Sequence, residues 1–346
     1  MHKLKITGLE NVIHVGDEFE ADLSKIIDIY ELKNRNAVLF TGQKSFSGSG
    51  YLSDLKKLLR EKGIKNLYHK TIEANPKKTE IDEVVNYLDK SDCDLLLAIG
   101  GGSVIDFAKA CRLYSKKNYT FLTIYTRLGS GSIVSPFTVY DNHEFKIGDH
   151  SETILPDMAY VNTHILTQLS EEVIGAGICD IYGHAVESAL SKLATATSRR
   201  NSSLALGYLE KYFATNSLLD VLYADIHAAL AEKIGIVLLP HALGHYVTYK
   251  YKISHGYANF LFTGAFLQWL KDCGIIVPQD QERMYDLIKV RFGKLINSHN
   301  IKMIDAADIA LIEDNMGFAM SNSPLALSKI DIKNIFNQGL AEYHAR

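Results

Sequence analysis

Three histidines lie close together in the segment PHALGHYVTYKYKISHG, residues 240–256. His241 and His245 are four residues apart, so in a helix their side chains share one face. His255 follows Ser254, a residue type that suits the N-cap of a further helix. Imidazole is the commonest side-chain ligand for metals and also carries protons near neutral pH. The segment therefore indicates either a metal site or ordinary helix histidines.

A carboxylate and a further histidine lie upstream, in the segment GICDIYGHAVESALS, residues 177–191. Asp180 and His184 are four residues apart in a helical pattern, so their side chains also share a face. Imidazole and carboxylate groups on rigid helices suit a divalent transition metal. The ordinary alternatives are a surface hydrogen bond within the pair and a satisfied histidine in the core. Spacing alone leaves both interpretations open.

A run of glycines offers a different kind of chemistry. The segment DLLLAIGGGSVIDFAKA, residues 94–110, has the pattern of a strand, a Gly-Gly-Gly-Ser turn and a helix. The start of a helix exposes unpaired N–H groups and the positive end of its dipole, and glycines let a pyrophosphate come close. The alternative is a tight turn with Ser103 as N-cap, but three glycines exceed what a turn needs. The loop therefore predicts a phosphate-bearing ligand, although its spacing differs from GxGxxG.

Strands and helices must position these groups, and the first half of the sequence alternates between them. Short apolar or β-branched runs predict strands at 11–15, 36–41, 66–69, 94–100 and 120–125. Helical patterns lie between them at 22–32, 51–63, 80–90 and 104–114. Two more strands are predicted within 135–148, around a polar turn at Asp141–Asn142–His143. This alternation is typical of an α/β fold, a Rossmann-like parallel sheet with helices on both faces.

The sequence changes character after about residue 162. Helical periodicity then dominates, in runs at 165–196, 202–214, 218–239 and 259–270, and strand signals are few. We therefore predict two domains, an α/β domain with the glycine loop at residues 1–162 and an all-α domain at residues 163–346. The helical domain would carry Asp180 and all four of the histidines considered above.

Composition narrows the function classes. The 346 residues are 47% hydrophobic, enough for a sizeable core and about two domains. A net charge of −3 favours neither nucleic acid nor an anionic membrane as partner. The first residues lack the apolar core of a signal peptide, and no apolar run is long enough to span a bilayer. Four scattered cysteines without CxxC spacing predict reduced thiols and a cytoplasmic location.

Several segments resemble the motifs of the iron-containing (group III) alcohol dehydrogenases. AIGGGSVIDFAKA resembles their GGGSxxDxAK signature, and TRLGSGSIVSPFTVY and ILPDMAYVN are similar to their TTAGTGSEVTPF and LLPDVAIVDP segments. CDIYGHAVES resembles their metal motif DALxHAIE. PHALGHYVTYKYKISHGYAN resembles a second metal motif, in which two histidines precede an HG pair. The motifs occur in the family's order and cover residues from about 35 to 260.

The resemblance implies a fold, a reaction and a set of site residues. The implied fold is a dehydroquinate synthase-like α/β domain followed by a helical domain. The implied reaction is hydride transfer between NAD(P) and a small alcohol or aldehyde, with Fe²⁺ or alternatively Zn²⁺, in a homodimer. The metal ligands would be Asp180, His184, His241 and His255, and His245 would lie near the nicotinamide and carry a proton. The cofactor contacts would be Gly42, Gly101, Gly102, Ser103, Asp106, Thr126, Ser130 and Lys146.

Three positions depart from the family pattern. Gly42 stands where many members have an Asp that binds the adenosine ribose, and Gln43, Lys44 and Ser45 follow it. A carboxylate there would repel a 2′-phosphate, so Gly42 admits NADP(H) as well as NAD(H). Ile133 replaces the family's Glu, and Arg127 replaces its second Thr. Arg127 would place a cation near the cofactor, or is an ordinary surface arginine.

A likeness to a subgroup suggests substrates. TGQKSFSGSG, EANPKKTEIDEV and the histidine segment are similar to phosphonoacetaldehyde reductases and to relatives in natural-product clusters. The implied substrate is a small aldehyde such as a phosphonoaldehyde. The alternatives are a dehydrogenase that modifies a peptide or other natural product, a related dehydroquinate synthase or glycerol-1-phosphate dehydrogenase, and a nucleotide-binding interaction protein without turnover.

Overall fold

The computed structural model describes residues 1–42, 50–142 and 145–344. The chain forms two compact units. The first contains Met1–Arg127 and Ser132–Leu169, and the second contains Leu128–Gly131 and the chain from Ser170 onward. The predicted division after residue 162 lies seven residues before the point where the chain enters the second unit at Ser170.

The first unit is built on a seven-stranded sheet, and its elements alternate as predicted. The strands are β1 His2–Lys3, β2 Val12–Gly16, β3 Asn36–Gly42, β4 Lys65–Ile72, β5 Leu95–Gly100, β6 Thr120–Tyr125, β7 Phe137–Asn142, β8 Phe145–His150 and β9 Met158–Asn162. The helices are α1 Phe19–Ile29, α2 Tyr51–Glu61, α3 Lys78–Lys90, α4 Gly102–Tyr114 and α5 Thr163–Thr167.

The sheet order is β1-β2-β9-β6-β5-β3-β4, and every pair except β1–β2 is parallel. All six residues of β5 are buried, as is typical of a central parallel strand covered on both faces. Leu39 of β3 packs in one core cluster with residues of α1 and α2. The next residue, Phe40, points to the other face and meets Phe107 of α4, with ring centroids 5.3 Å apart. Helices therefore cover both faces of the sheet, as predicted.

The β7–β8 hairpin and strand β9 are the two parts of this unit to compare with the predicted strands. Strands β7 and β8 form a separate antiparallel hairpin, which confirms the predicted strand pair within 135–148. The position of the turn was wrong, because Asp141 and Asn142 belong to β7 and pair with β8; His143 lies outside the described residues. Strand β9, MAYVN, is absent from the predicted strands but lies between β2 and β6 in the middle of the sheet. Only a three-residue 3-10 helix, Glu152–Ile154, separates the β7–β8 hairpin from β9, so the strand–helix alternation that revealed the other strands did not reveal it.

The second unit is helical among its described residues. Its helices are α6 Glu171–Leu190, α7 Ala196–Thr215, α8 Leu218–Gly235, α9 Leu239–Tyr251, α10 His255–Asp272, α11 Gln279–Phe292, α12 Ala306–Ser321 and α13 Lys329–His344. The predicted run at 165–196 is divided, because Ser170 caps α6 through the N–H of Val173. The predicted run at 218–239 is also divided, because Ile236 has a left-handed φ of 55°.

Candidate functional site

The predicted metal ligands come together within the second unit. Helix α6 carries Asp180 and His184, α9 carries His241, and α10 begins at His255. Asp180 Oδ1 lies 3.5 Å from His241 Nε2, 3.9 Å from His255 Nε2 and 4.0 Å from His184 Nε2. Ligand atoms of Asp180, His241 and His255 all lie within 4.8 Å of one another. The rings of His184 and His241 stack at a centroid distance of 4.7 Å.

A close approach between α6 and the start of α10 brings His255 to Asp180. Gly256 makes this approach fit, because a Cβ at that position would lie 1.9 Å from the carbonyl oxygen of Ala176 and 2.9 Å from the backbone nitrogen of Asp180. Thr248 Oγ1 lies 3.4 Å from Nδ1 of His255, which leaves Nε2 of that ring toward Asp180. The glycine of the HG pair therefore has a packing role beside the predicted ligand His255.

Buried charges perturb both Asp180 and His241. Burial alone would raise the pKa of Asp180, but His255, His184 and His241 outweigh it and hold the pKa well below its usual value. Burial alone would lower the pKa of His241. The carboxylates of Glu187 and then Asp180 outweigh it and raise the pKa to about 10. The four predicted ligands thus form a largely buried cluster in which Asp180 and His241 are both perturbed.

Glu187 is the site residue that sequence reasoning missed. It lies on α6, is fully buried, and its Oε1 is 2.5 Å from Nδ1 of His241. Its Oε2 accepts the backbone N–H groups of Leu238 at 2.6 Å and His241 at 3.3 Å, at a helix start with no capping side chain of its own. One carboxylate therefore anchors α9 and directs Nε2 of His241 toward Asp180. The signal was present in the sequence, since the family motif DALxHAIE ends in this glutamate.

These residues fit a bound divalent metal. Nε2 of His241 is buried and has no hydrogen-bond partner among the described residues. An unpaired buried nitrogen is costly in a protein interior, and a metal ion would satisfy it. One carboxylate and three imidazoles are also a donor set that Fe²⁺ and Zn²⁺ accept.

His245 lies next to this cluster without joining it. It is on α9, four residues after His241, and is largely buried. Its ring is 4.8 Å from the ring of His255 and nearly perpendicular to it. A histidine this close to the predicted ligands is in position to accept or donate a proton there.

The glycine loop lies in the first unit, at the carboxyl end of β5. Gly101 is the extended N-cap of α4, and Gly102 and Ser103 form the first turn, half-exposed. Gly101 keeps the loop close to the following segment, because a Cβ there would lie 3.0 Å from Cβ of Arg127. Thr126 donates its N–H to the carbonyl oxygen of Gly100. The described loop therefore presents a helix N-terminus with its glycines accessible, as a phosphate ligand needs.

The other predicted cofactor residues of the first unit occupy different settings. Gly42 ends β3 and is half-buried, while Gln43, Lys44 and Ser45 lie outside the described residues. Lys146 on β8 is largely buried, and its Nζ lies 3.3 Å from Oδ1 of Asn75. Asp106 on α4 accepts a hydrogen bond from Ser132 at 2.9 Å, and burial raises its pKa despite the nearby Lys109.

Lys109 is a second residue whose role the sequence did not predict. It is the lysine of the GGGSxxDxAK signature and is fully buried. Its Nζ donates to the carbonyl oxygens of Ser135 at 2.7 Å and Phe137 at 2.9 Å. The signature lysine therefore fastens the segment that leads into β7.

Ser130 belongs to the second unit, in the short segment Leu128–Gly131. Asp225 of α8 holds this segment, accepting the N–H of Gly129 at 3.0 Å and that of Gly131 at 2.9 Å. Asp225 is almost fully buried and was also missed from the sequence. It fixes the backbone on both sides of Ser130.

Replacing Asp225 with asparagine is expected to lower the free energy of unfolding by about 1–3 kcal/mol, because an amide N–H would then face a backbone N–H in a buried place. Chemical denaturation measures this change. Asp272→Asn on the exposed end of α10 is the matched control and should be nearly neutral. Equal stability of the two variants would show that the two hydrogen bonds contribute little.

Among the described residues, no helix combines the length and the apolar composition that crossing a bilayer requires.

Known proteins share the sequence pattern and the fold. The family described as iron-containing alcohol dehydrogenase matches residues 12–163. The NAD-dependent methanol dehydrogenase of Bacillus methanolicus is 27% identical over 237 residues, which span 61% of this chain and 62% of that protein. The chain thus matches less than two thirds of that relative's length.

Solved structures extend the likeness to nearly the whole chain. An alcohol dehydrogenase from an archaeal halo-thermophile of a Red Sea brine pool has a TM-score of 0.84 at 20% identity, covering 98% of this chain and 100% of that one. The sulfoacetaldehyde reductase of Bifidobacterium kashiwanohense, solved with NAD⁺, has a TM-score of 0.76 at 19% identity, covering 98% and 99%. At such low sequence identity, the structural similarity shows the fold alone, which is an α/β domain followed by a helical domain. The family match covers less than half of the 346 residues, whereas the structural likeness to solved iron-containing alcohol dehydrogenases covers nearly all of them.

Proposed function

We propose that the protein is a metal-dependent, NAD(P)-linked alcohol dehydrogenase or aldehyde reductase. The observation that carries this proposal is the convergence of three imidazole Nε2 atoms within 3.5–4.0 Å of Asp180 Oδ1. The proposed ligands are Asp180, His184, His241 and His255. When bound, a divalent metal would supply Lewis acidity that polarises an aldehyde carbonyl or lowers the pKa of an alcohol.

The remaining steps fall to residues of the chain itself. Glu187 keeps Nδ1 of His241 occupied, so that the ring can offer only Nε2 to a metal. His245 is proposed to hold and move the proton that accompanies hydride transfer, because its ring lies 4.8 Å from that of His255. A bound nicotinamide cofactor would supply C4 as the hydride donor or acceptor for the substrate carbon.

The proposed cofactor is NAD(H) or NADP(H), with its pyrophosphate on Gly101, Gly102 and Ser103. The half-exposed start of α4 supports this assignment. Thr126, Ser130, Lys146 and Asp106 are proposed as further cofactor contacts or their supports. Gly42 carries no carboxylate that would repel a 2′-phosphate, so the protein is proposed to accept NADPH.

The proposed substrate is a small alcohol or aldehyde. Two similar proteins are named for such compounds, methanol and sulfoacetaldehyde. Sulfoacetaldehyde carries an anionic sulfonate group, and the phosphonoaldehyde suggested by the subgroup likeness carries an anionic phosphonate group. No observation favours a peptide-modifying enzyme or an interaction protein without turnover. A homodimer and a cytoplasmic location complete the proposal, and the burial of Cys93, Cys111 and Cys179 is compatible with reduced thiols.

The decisive experiment is metal analysis of anaerobically purified protein, with NADH and NADPH titrated into the same sample. About one Fe or Zn per chain, together with nucleotide binding and reduction of small aldehydes, is the expected result. A preference for NADPH would support the argument from Gly42. Protein that stays free of metal after reconstitution with Fe²⁺ and Zn²⁺ would overturn the proposal.

A further inference from the structure

Asn259 touches the predicted metal cluster without being one of its ligands. It lies on α10, four residues after His255, and is fully buried. Its Nδ2 donates a hydrogen bond of 2.8 Å to Oδ1 of Asp180. This is the same oxygen that faces the imidazole nitrogens at 3.5–4.0 Å. Asn259 therefore acts on the carboxylate at the centre of the cluster.

The orientation of the Asn259 amide follows from the chemistry of its neighbour. An ionised carboxylate only accepts hydrogen bonds, so the NH₂ group must face Asp180 and the carbonyl oxygen must face away. Asn259 Oδ1 is buried without a hydrogen-bond partner among the described residues. Burying an unpaired carbonyl oxygen costs free energy, and an apolar side chain of the same size would avoid that cost. The hydrogen bond that orients Asp180 therefore explains why an amide, and not an apolar side chain, lies at position 259.

Gly244 on α9 leaves the space that this arrangement needs. It lies between His241 and His245, and a Cβ at this position would lie 1.8 Å from Oδ1 of Asn259 and 2.8 Å from its Cγ. Any other residue would push the amide out of place, or the helix away from it. The glycine in the HALGH segment is thus required by the side chain of Asn259.

We propose that Asn259 is a positioning residue that fixes the carboxylate of Asp180 for metal binding, and that Gly244 keeps its place open. With one lone pair of Oδ1 bonded to Asn259, the carboxylate cannot turn freely to offer both oxygens. Asp180 then binds the ion through one oxygen only. This inference rests on the proposed metal site, and its test separates the two.

The experiment uses the 346-residue protein loaded with Co²⁺, a spectroscopic substitute for Fe²⁺ and Zn²⁺. Asn259→Ala and the similarly sized Asn259→Leu remove the hydrogen bond. Gly244→Ala is a change on the neighbouring helix α9 that should displace the amide of Asn259. Gly207→Ala on α7, where a Cβ meets no atom within 4 Å, is the control. The measurements are Co²⁺ affinity, by competition with a chelator, and the visible absorption spectrum.

We expect each of the three variants to bind Co²⁺ about 10–100-fold more weakly than the wild type, the usual effect of removing a residue that orients a ligand. Their visible bands should become weaker than those of the wild type, because a carboxylate binding through both oxygens raises the coordination number. Gly244→Ala added to Asn259→Ala should cause a smaller further loss than Gly244→Ala alone, since the two changes act through one contact. Gly207→Ala should match the wild type.

Wild-type affinity and spectrum in Asn259→Leu would overturn the inference, since that variant keeps the packing and loses only the amide. The metal site itself would stand in that case. Wild-type protein that binds no Co²⁺, Fe²⁺ or Zn²⁺ would overturn the proposed function and this inference together. Comparing the wild type with the variants therefore shows which of the two has failed.

Discussion

Replacing His255 with alanine is expected to abolish stoichiometric metal binding and to lower turnover by about three orders of magnitude, while the protein stays folded. The variant removes one of three imidazoles around Asp180, and the loss corresponds to roughly 4 kcal/mol of transition-state stabilisation. His255 is partly exposed at the start of α10, so its truncation leaves little unfilled space in the core. Metal content, circular dichroism and aldehyde reduction measure the three effects.

The matched control is His164→Ala, which removes an exposed histidine from α5 in the first unit. It should retain both metal and activity. Nucleotide binding should survive in both variants, because the glycine loop belongs to the first unit. Full turnover by His255→Ala without bound metal would contradict the proposed role of the cluster.

Replacing Glu187 with glutamine is the second change with a large expected effect. The glutamine keeps the size of the side chain but loses the charge that faces Nδ1 of His241 and one acceptor for the start of α9. We expect metal affinity to fall about 10–100-fold, as for other residues that orient metal-binding histidines. Competition titration with a chelator measures the change. Glu210→Gln on the exposed face of α7 is the control and should be neutral.

The metal-free protein offers an independent test of the Glu187–His241 pair. Burial opposes the charge on His241, but Glu187 and Asp180 raise its pKa to about 10 from an ordinary 6.5. A raised pKa stabilises the fold fully below the ordinary value and loses that contribution as the pH rises through the folded value. Metal-free wild type should therefore become less stable between about pH 7 and 10. Without the charge of Glu187, Glu187→Gln should lose this contribution at lower pH, and identical profiles would contradict the pairing.

The fold could be predicted largely from the sequence because its elements are strongly patterned. The buried strand β5 is a continuous apolar run, and the helices around it show clear periodicity. Strand β9 was missed because its place between β2 and β6 depends on pairing with strands far away in the chain. The division of the helical runs was missed because a cap at Ser170 and a left-handed Ile236 interrupt the backbone without changing the hydrophobic pattern.

For the site, the sequence by itself determined the residue types, the helical spacing of Asp180–His184 and His241–His245, and the resemblance of these motifs to those of a known family. Only the tertiary structure decided which atoms meet. The contacts of Glu187 with α9, Asn259 with Asp180 and Asp225 with the segment around Ser130 join residues 54, 79 and 94–96 positions apart. Local periodicity reports which face of a helix is buried, not which helix packs against it. Buried polar partners therefore become visible only once the helices are packed.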